Sequence, residues 1–167
     1  MTADAEEISV RLVGLLPRLR RFARSLSRNQ HDADDLVQAV VERALRNHEQ
    51  FRDGANLAAW LFGIMKNAWI DACRARGRRA EVALPEDSGE HPAESPGDMD
   101  TSLWSVSEAM SKLPEEQRLA VALVLVEGMS YKEAAAVLEI PIGTLTSRLA
   151  RGRSALAAAL SENEGPA

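Results

Sequence analysis

The chain has 167 residues and a net charge of −5, and it is 46% hydrophobic but only 4% aromatic. Its one cysteine, Cys73, excludes an intramolecular disulfide and a thiolate-rich metal site, and His31, His48 and His91 fall at no ligand spacing, so neither a metal nor a cofactor is expected. The acidic start MTADAEEISV lacks the basic-then-apolar layout of a signal peptide, and no apolar run is long enough to span a bilayer; a cytoplasmic protein not embedded in a membrane is the expectation.

Residues 8–27 have a helical pattern, with Leu12, Leu15, Leu16, Leu19, Phe22, Ala23 and Leu26 on one broad face and Arg18, Arg20, Arg21, Arg24 and Arg28 around it. Pro17 is expected to kink this segment, or to begin a second helix as its first residue. A second helix opens at His31-Asp32, with Asp32 as N-cap and Asp34 and Asp35 in the first turn, where the helix dipole favours carboxylates. Leu36, Val40 and Ala44 turn inward; Asp34, Asp35, Gln38, Glu42, Arg43 and Arg46 are left outside.

The stretch 51–56 reads as a loop whose last residue, Asn56, caps a third long helix over about 57–79. Trp60, Leu61, Ile64 and Ala68 share one face of it, and Phe62, Met65, Trp69 and Cys73 the next. Lys66, Asn67 and Arg74 take the remaining side. Arg76, Arg78 and Arg79 load its C-terminal end, where cations complement the dipole but also suit a nucleic-acid backbone. The two tryptophans read as core rather than as base-stacking groups.

Periodicity then collapses. Residues 81–102 carry seven acids, three prolines and no basic residue, the composition of a linker. A solubilising tether is the simpler reading; an anionic strand that mimics nucleic acid in a basic channel is the alternative. Beyond it, 103–110 forms a helix, Pro114 stands at the first position of another running to Gly128, and Gly128 is its natural C-cap.

Two further helices follow, joined by a tight turn. Ser130 and Glu133 form a capping box, and Pro141 stops the first helix because it lacks an N–H and disfavours the helical conformation at Ile140. In the second, beginning near Ile142 or Gly143, Leu145, Leu149, Leu156 and Leu160 face inward. Thr144, Ser147, Arg148 and Arg151 lie within about one third of the opposite circumference. Between Ile140 and Leu160 there are three arginines and no acid. Hydroxyls and arginines on one exposed face are what a major-groove reader needs, since arginine forks to guanine or phosphate.

This order of elements resembles the extracytoplasmic-function class of bacterial sigma factors over nearly the whole chain. DADDLVQAVVERAL is similar to the helix by which such factors grip RNA polymerase, NLAAWLFGIMKNAWIDACRARGRR to the segment that reads and opens the −10 element, and LPEEQRLAVALVLVEGMSYKEAAAVLEIPIGTLTSRLARGRSAL to the −35 domain. The resemblance implies an all-α fold of two domains, 1–80 and 103–167, with the acidic flexible linker 81–102 between them. It implies no catalysis by the chain itself. Its partners would be core polymerase (clamp coiled coil and flap), promoter DNA and an anti-sigma factor.

By the same resemblance, Asp34, Asp35, Gln38, Glu42 and Arg43 would meet the polymerase. Arg52, Asn56, Lys66, Asn67, Arg74, Arg76, Arg78 and Arg79 would handle the −10 region, with a base pocket in the loop 51–56. Thr144, Thr146, Ser147, Arg148, Arg151 and Arg153 would serve the −35 groove. Three positions depart from the family pattern: Glu139 stands where the turn usually has glycine, Thr146 where a basic residue is common, and Ala150 where a polar one is. A competing class is a sigma-like decoy that sequesters an anti-sigma factor without binding a promoter. A plain helix-turn-helix regulator would leave the first two long segments unexplained.

Overall fold

The computed structural model describes residues 4–82 and 101–163, and every regular segment among them is helical. The first half has three α-helices, α1 (Ala5–Leu26), α2 (Gln30–Arg46) and α3 (Leu57–Val82), with a short 3-10 helix His48–Gln50 before α3. The second half is four: α4 (Thr101–Ser111), α5 (Glu115–Val121), α6 (Tyr131–Leu138) and α7 (Ile142–Asn163). The proposed linker lies outside the described residues over 83–100; its two ends are helical, since α3 runs on to Val82 and α4 starts at Thr101.

Helix α1 organises both halves. Ile8, Leu12, Leu19, Phe22, Ala23 and Leu26 are buried along it, and it packs on α2 and α3 of its own half and on α4, α5 and the segment Ala122–Val126 of the other. Phe22 meets Phe62 of α3 edge-on, with ring centroids 4.9 Å apart, a favoured aromatic geometry. No second helix begins at Pro17: α1 runs through it. Pro17 falls on the exposed side near Val13, which is 64% exposed, so water can serve the carbonyl left without a helical donor.

Capping differs in one place from the sequence reading. Asn29, not Asp32, is the N-cap of α2. Its Oδ1 accepts from the Asp32 backbone N–H at 2.8 Å while its Nδ2 donates to Asp32 Oδ2 at 3.0 Å. Asn caps as well as Asp, and the reciprocal pair leaves Asp32 inside the first turn, where the dipole still favours it. At α3 the expected cap is present, Asn56 Oδ1 accepting from the Ala59 N–H at 3.2 Å.

In the second half, Pro114 is the residue before α5 rather than its first helical position, with φ −55° and ψ 147°. The apolar run that follows does not stay α-helical to Gly128. It widens into a π turn over Ala122–Val126, closed by Glu127 N–H to the Ala122 carbonyl at 3.0 Å and Met129 N–H to the Leu123 carbonyl at 3.0 Å. Gly128 ends it at φ 69°, a conformation that favours glycine. Helix α7 crosses α5 at Gly152, where a Cβ would come within 2.7 Å of Val121 Cγ2 and 3.3 Å of the Gln117 carbonyl oxygen. No side chain fits there.

Candidate nucleic-acid interface

The helix-turn-helix forms as its capping signals require. Ser130 Oγ accepts from the Glu133 N–H at 3.1 Å, and Glu133 Oε2 accepts from the Ser130 N–H at 3.0 Å. The Ser130 N–H and, next, the Ser130 hydroxyl, which donates to the same Oε2 at 3.1 Å, lower the pKa of the Glu133 carboxyl. Helix α6 buries Ala134, Ala135, Val137 and Leu138, and α7 buries Leu145 and Leu149 against it and α5. The turn between them passes through Glu139 in a left-handed conformation, φ 56° and ψ 44°.

Helical phase then sorts the α7 residues, at about 100° per residue. Thr144, Ser147, Arg148 and Arg151 form one arc opposite Leu145 and Leu149. Ser147 and Arg151 are exposed, and Thr144 and Arg148 half-buried. Arg148 leans on α5, with its guanidinium 3.6 Å from Glu116 Oε2. Thr146 and Arg153 are exposed on a different stripe, and the Thr146 hydroxyl donates to the Ile142 carbonyl at 2.9 Å. The six residues named from sequence are therefore one cluster of four and two outliers.

The same test divides the first half. On α3, Asn67, Arg74 and Arg78 are exposed on one stripe. Arg76 and Arg79 point elsewhere in phase; Arg76 lies over the Trp69 ring at 5.3 Å and within 3.9 Å of Asp32. Lys66 is not on an open face: it is 6% exposed, with Nζ 3.3 Å from Glu139 Oε2 of α6. In the loop 51–56, Phe51 is buried beneath Trp60, at 5.3 Å between rings, with Arg11 5.6 Å over its face, while Arg52 and Asn56 stay exposed.

On α2, Asp34, Asp35, Gln38 and Glu42 share an exposed arc. Gln38 donates to Glu42 at 3.3 Å, and Asp35 sits 3.5 Å from His31 Nε2. Arg43 belongs to a neighbouring face, reaching Asp71 of α3 at 3.9 Å. An open groove of about 520 Å³ lies between α1 and α2, lined by Arg20, Arg24, Gln30, Asp34, Val37 and Gln38. It adds two arginines that the sequence pattern had assigned only to the surround of α1.

Three residues to which sequence reasoning assigned no role join the halves. The Glu127 side chain is fully buried and takes Arg21 on both oxygens at 3.0 Å and Arg18 at 3.2 Å, which raises the Arg21 pKa. An acid at the end of an apolar run, against the helix dipole, was the available signal. Buried Arg118 donates to the carbonyls of Met110, Ser111, Leu113 and, across the halves, Leu26, at 2.8–3.0 Å. Burial is the main force pushing its pKa down, followed by Arg28. Glu139 is the third.

Two family models match the chain: Sigma-70 region 2 over residues 13–79 and Sigma-70, region 4, over residues 103–156. The chain is 39% identical over 159 residues to the ECF RNA polymerase sigma factor EcfG of Rhodopseudomonas palustris (strain TIE-1), covering 93% of this chain and 88% of that one. It belongs to the ECF RNA polymerase sigma factor family. SigE of Mycolicibacterium smegmatis (strain ATCC 700084 / mc(2)155), another ECF sigma factor, is 41% identical over 144 residues, 83% of this chain and 56% of that longer protein. Among solved structures, the sigma factor RpoE in complex with the anti-sigma factor NepR from Bartonella quintana superposes with a TM-score of 0.77 at 36% identity, covering 93% of this chain and 98% of that one. CnrH in complex with the cytosolic domain of CnrY gives 0.69 at 26% identity, over 96% and 91%. As a sigma factor the chain is a transcription regulator that directs initiation, and its region 2 match ends within α3 while its region 4 match spans α4 to the middle of α7. Among the described residues no helix is long and apolar enough to cross a membrane.

Proposed function

We propose that the two halves divide the work of a promoter-selecting subunit that performs no chemistry itself. The domain 1–80 grips core polymerase through the α2 arc Asp34, Asp35, Gln38 and Glu42, and handles the −10 element through Arg52, Asn56, Asn67, Arg74 and Arg78. The domain 103–167 reads the −35 major groove through Thr144, Ser147, Arg148 and Arg151. Polymerase supplies phosphoryl transfer. An anti-sigma protein holds the chain, by analogy with RpoE in complex with NepR and CnrH in complex with the cytosolic domain of CnrY, and it does so by covering these faces.

The single observation that carries the reading is the α7 arc, where two arginines and two hydroxyl residues share the outer side of a helix-turn-helix whose inner side is sealed by Leu145 and Leu149. Arg148 and Arg151 offer planar forks for guanine or phosphate. A decoy that only titrates an anti-sigma factor has no use for that arc. The test is run-off transcription with core polymerase from the source organism on a pool of its upstream regions. New starts sharing paired −35 and −10 sequences support the reading; no starts and no polymerase binding would transfer it to the decoy.

A further inference from the structure

Among the described residues Glu139 is the one non-glycine residue at positive φ, a conformation in which a Cβ is penalised and glycine is not. The turn itself does not call for glutamate. The Glu139 backbone N–H serves the Ala135 and Ala136 carbonyls, and glycine would do so without strain. What the side chain adds is contact with the other half of the molecule. Its carboxylate stands 3.3 Å from Nζ of Lys66, whose side chain is 7% exposed while that of Glu139 is 81% exposed. A buried ammonium needs a partner, and α6 delivers it from solvent side to core side across the α3–α6 contact. Glu127 with Arg18 and Arg21 forms a second cross-half pair on α1.

That contact is incompatible with promoter reading as proposed above. The −35 and −10 elements are separated by about 25 base pairs, roughly 85 Å at 3.4 Å per pair, whereas here α6, the support of the −35 reader, rests directly on α3, the −10 reader. Both readers cannot occupy one promoter with the halves docked. We infer that Glu139 is a latch: it is held in a strained backbone conformation so that its carboxylate pins Lys66 and keeps a resting form shut. Releasing it uncovers the Lys66 ammonium next to exposed Asn67, where it meets a backbone phosphate. The functional part of this inference rests on the proposed promoter role; the docking part does not.

The chain carries its own reporter. Cys73 lies two turns beyond Lys66 on α3, half-buried, and its thiol is pushed up to about 11, by burial first and then by Glu115 of α5. Parting the halves takes Glu115 of α5 away from the thiol, so alkylation of the native chain by iodoacetamide at fixed pH reads the open population. Glu139→Gln, which keeps the size of the side chain and removes its charge, should raise the Cys73 rate about tenfold. In a Lys66→Met background, where no buried ammonium remains to be stranded, the same substitution should have no effect. Unchanged helicity and unfolding temperature of the variant confirm that α6 still folds, and Glu139→Gly provides a second variant that relieves the backbone while still losing the latch. Equal Cys73 rates in wild type and in both Glu139 variants, or an equal rise in the Lys66→Met background, would overturn the latch without touching the promoter reading. Loss of promoter-directed starts with the Cys73 pattern intact would do the opposite.

Discussion

The two helices proposed to face DNA are held in different ways. The arc of α7 is turned to solvent, with Arg151 and Ser147 exposed, and so is the Asn67, Arg74 and Arg78 stripe of α3, but on the adjoining face of α3 Lys66 is buried under α6. The difference traces to what each helix leans on. Helix α7 is fixed within its own domain by α5, through Gly152 and the Arg148–Glu116 contact. Helix α3 is fixed partly by the other domain, through Glu139 and, at Trp69, through the Arg118 guanidinium 5.9 Å above the ring. The setting of α7 is complete within one half; that of α3 depends on how the halves are arranged.

The largest way to break this asymmetry is Arg118→Met. It strips four carbonyls, three of them at the α4–α5 junction and one on α1, of a buried donor, and should cost about 3 kcal/mol or more in urea unfolding, since each stranded buried acceptor is expensive. Gly152→Ala should cost about 2 kcal/mol, as a methyl cannot enter at 2.7 Å from Val121 without parting α5 from α7. Its damage should be confined to the second domain and to −35 binding. Arg151→Ala should weaken promoter binding by about 1.5 kcal/mol, within the range for an arginine on a base or phosphate, read by titration at one stated salt concentration.

A pH dependence sharpens the comparison in another way. The Cys73 thiol, raised from 9.0 to about 11, stays protonated in the folded chain while the unfolded chain ionises. Its contribution to stability is therefore complete below pH 9 and is lost as the pH rises through about 11. Unfolding midpoints of wild type should fall relative to Cys73→Ala across that window and run parallel to it below pH 8. A constant difference from pH 7 to 11 would contradict the assignment.

Much of the fold was legible because its signals are local. The Ser130–Glu133 capping box, the Asn56 cap, the Gly128 stop and the apolar spacing of α7 each act within a few residues. What misled were signals with two local solutions: Asn29 outcompeted Asp32 three residues later, and Pro17 was absorbed because α1 has an exposed side to spare. The apolar run before Gly128 gave no hint of a π turn, since an unbroken apolar sequence has no periodicity to count, even though Leu125 within it is 47% exposed. At the candidate interface, phase alone grouped Thr144, Ser147, Arg148 and Arg151. The fates of Lys66, Glu127 and Glu139 depend on partners 73 or more positions away, and no spacing rule reaches that far. Glu139 did stand out against the family's glycine, but only coordinates reveal that its carboxylate has a use.

The central claim is a division of labour between the α2 arc and the α7 arc, and a crossed binding measurement tests it most directly. Asp35→Arg and the double variant Arg148→Ala/Arg151→Ala would each be titrated against core polymerase and against a −35 duplex. The account predicts that Asp35→Arg weakens polymerase binding at least tenfold and leaves the duplex affinity unchanged, while the double variant does the reverse. If each variant weakened both partners equally, the two faces would not be separate sites and the division would be wrong.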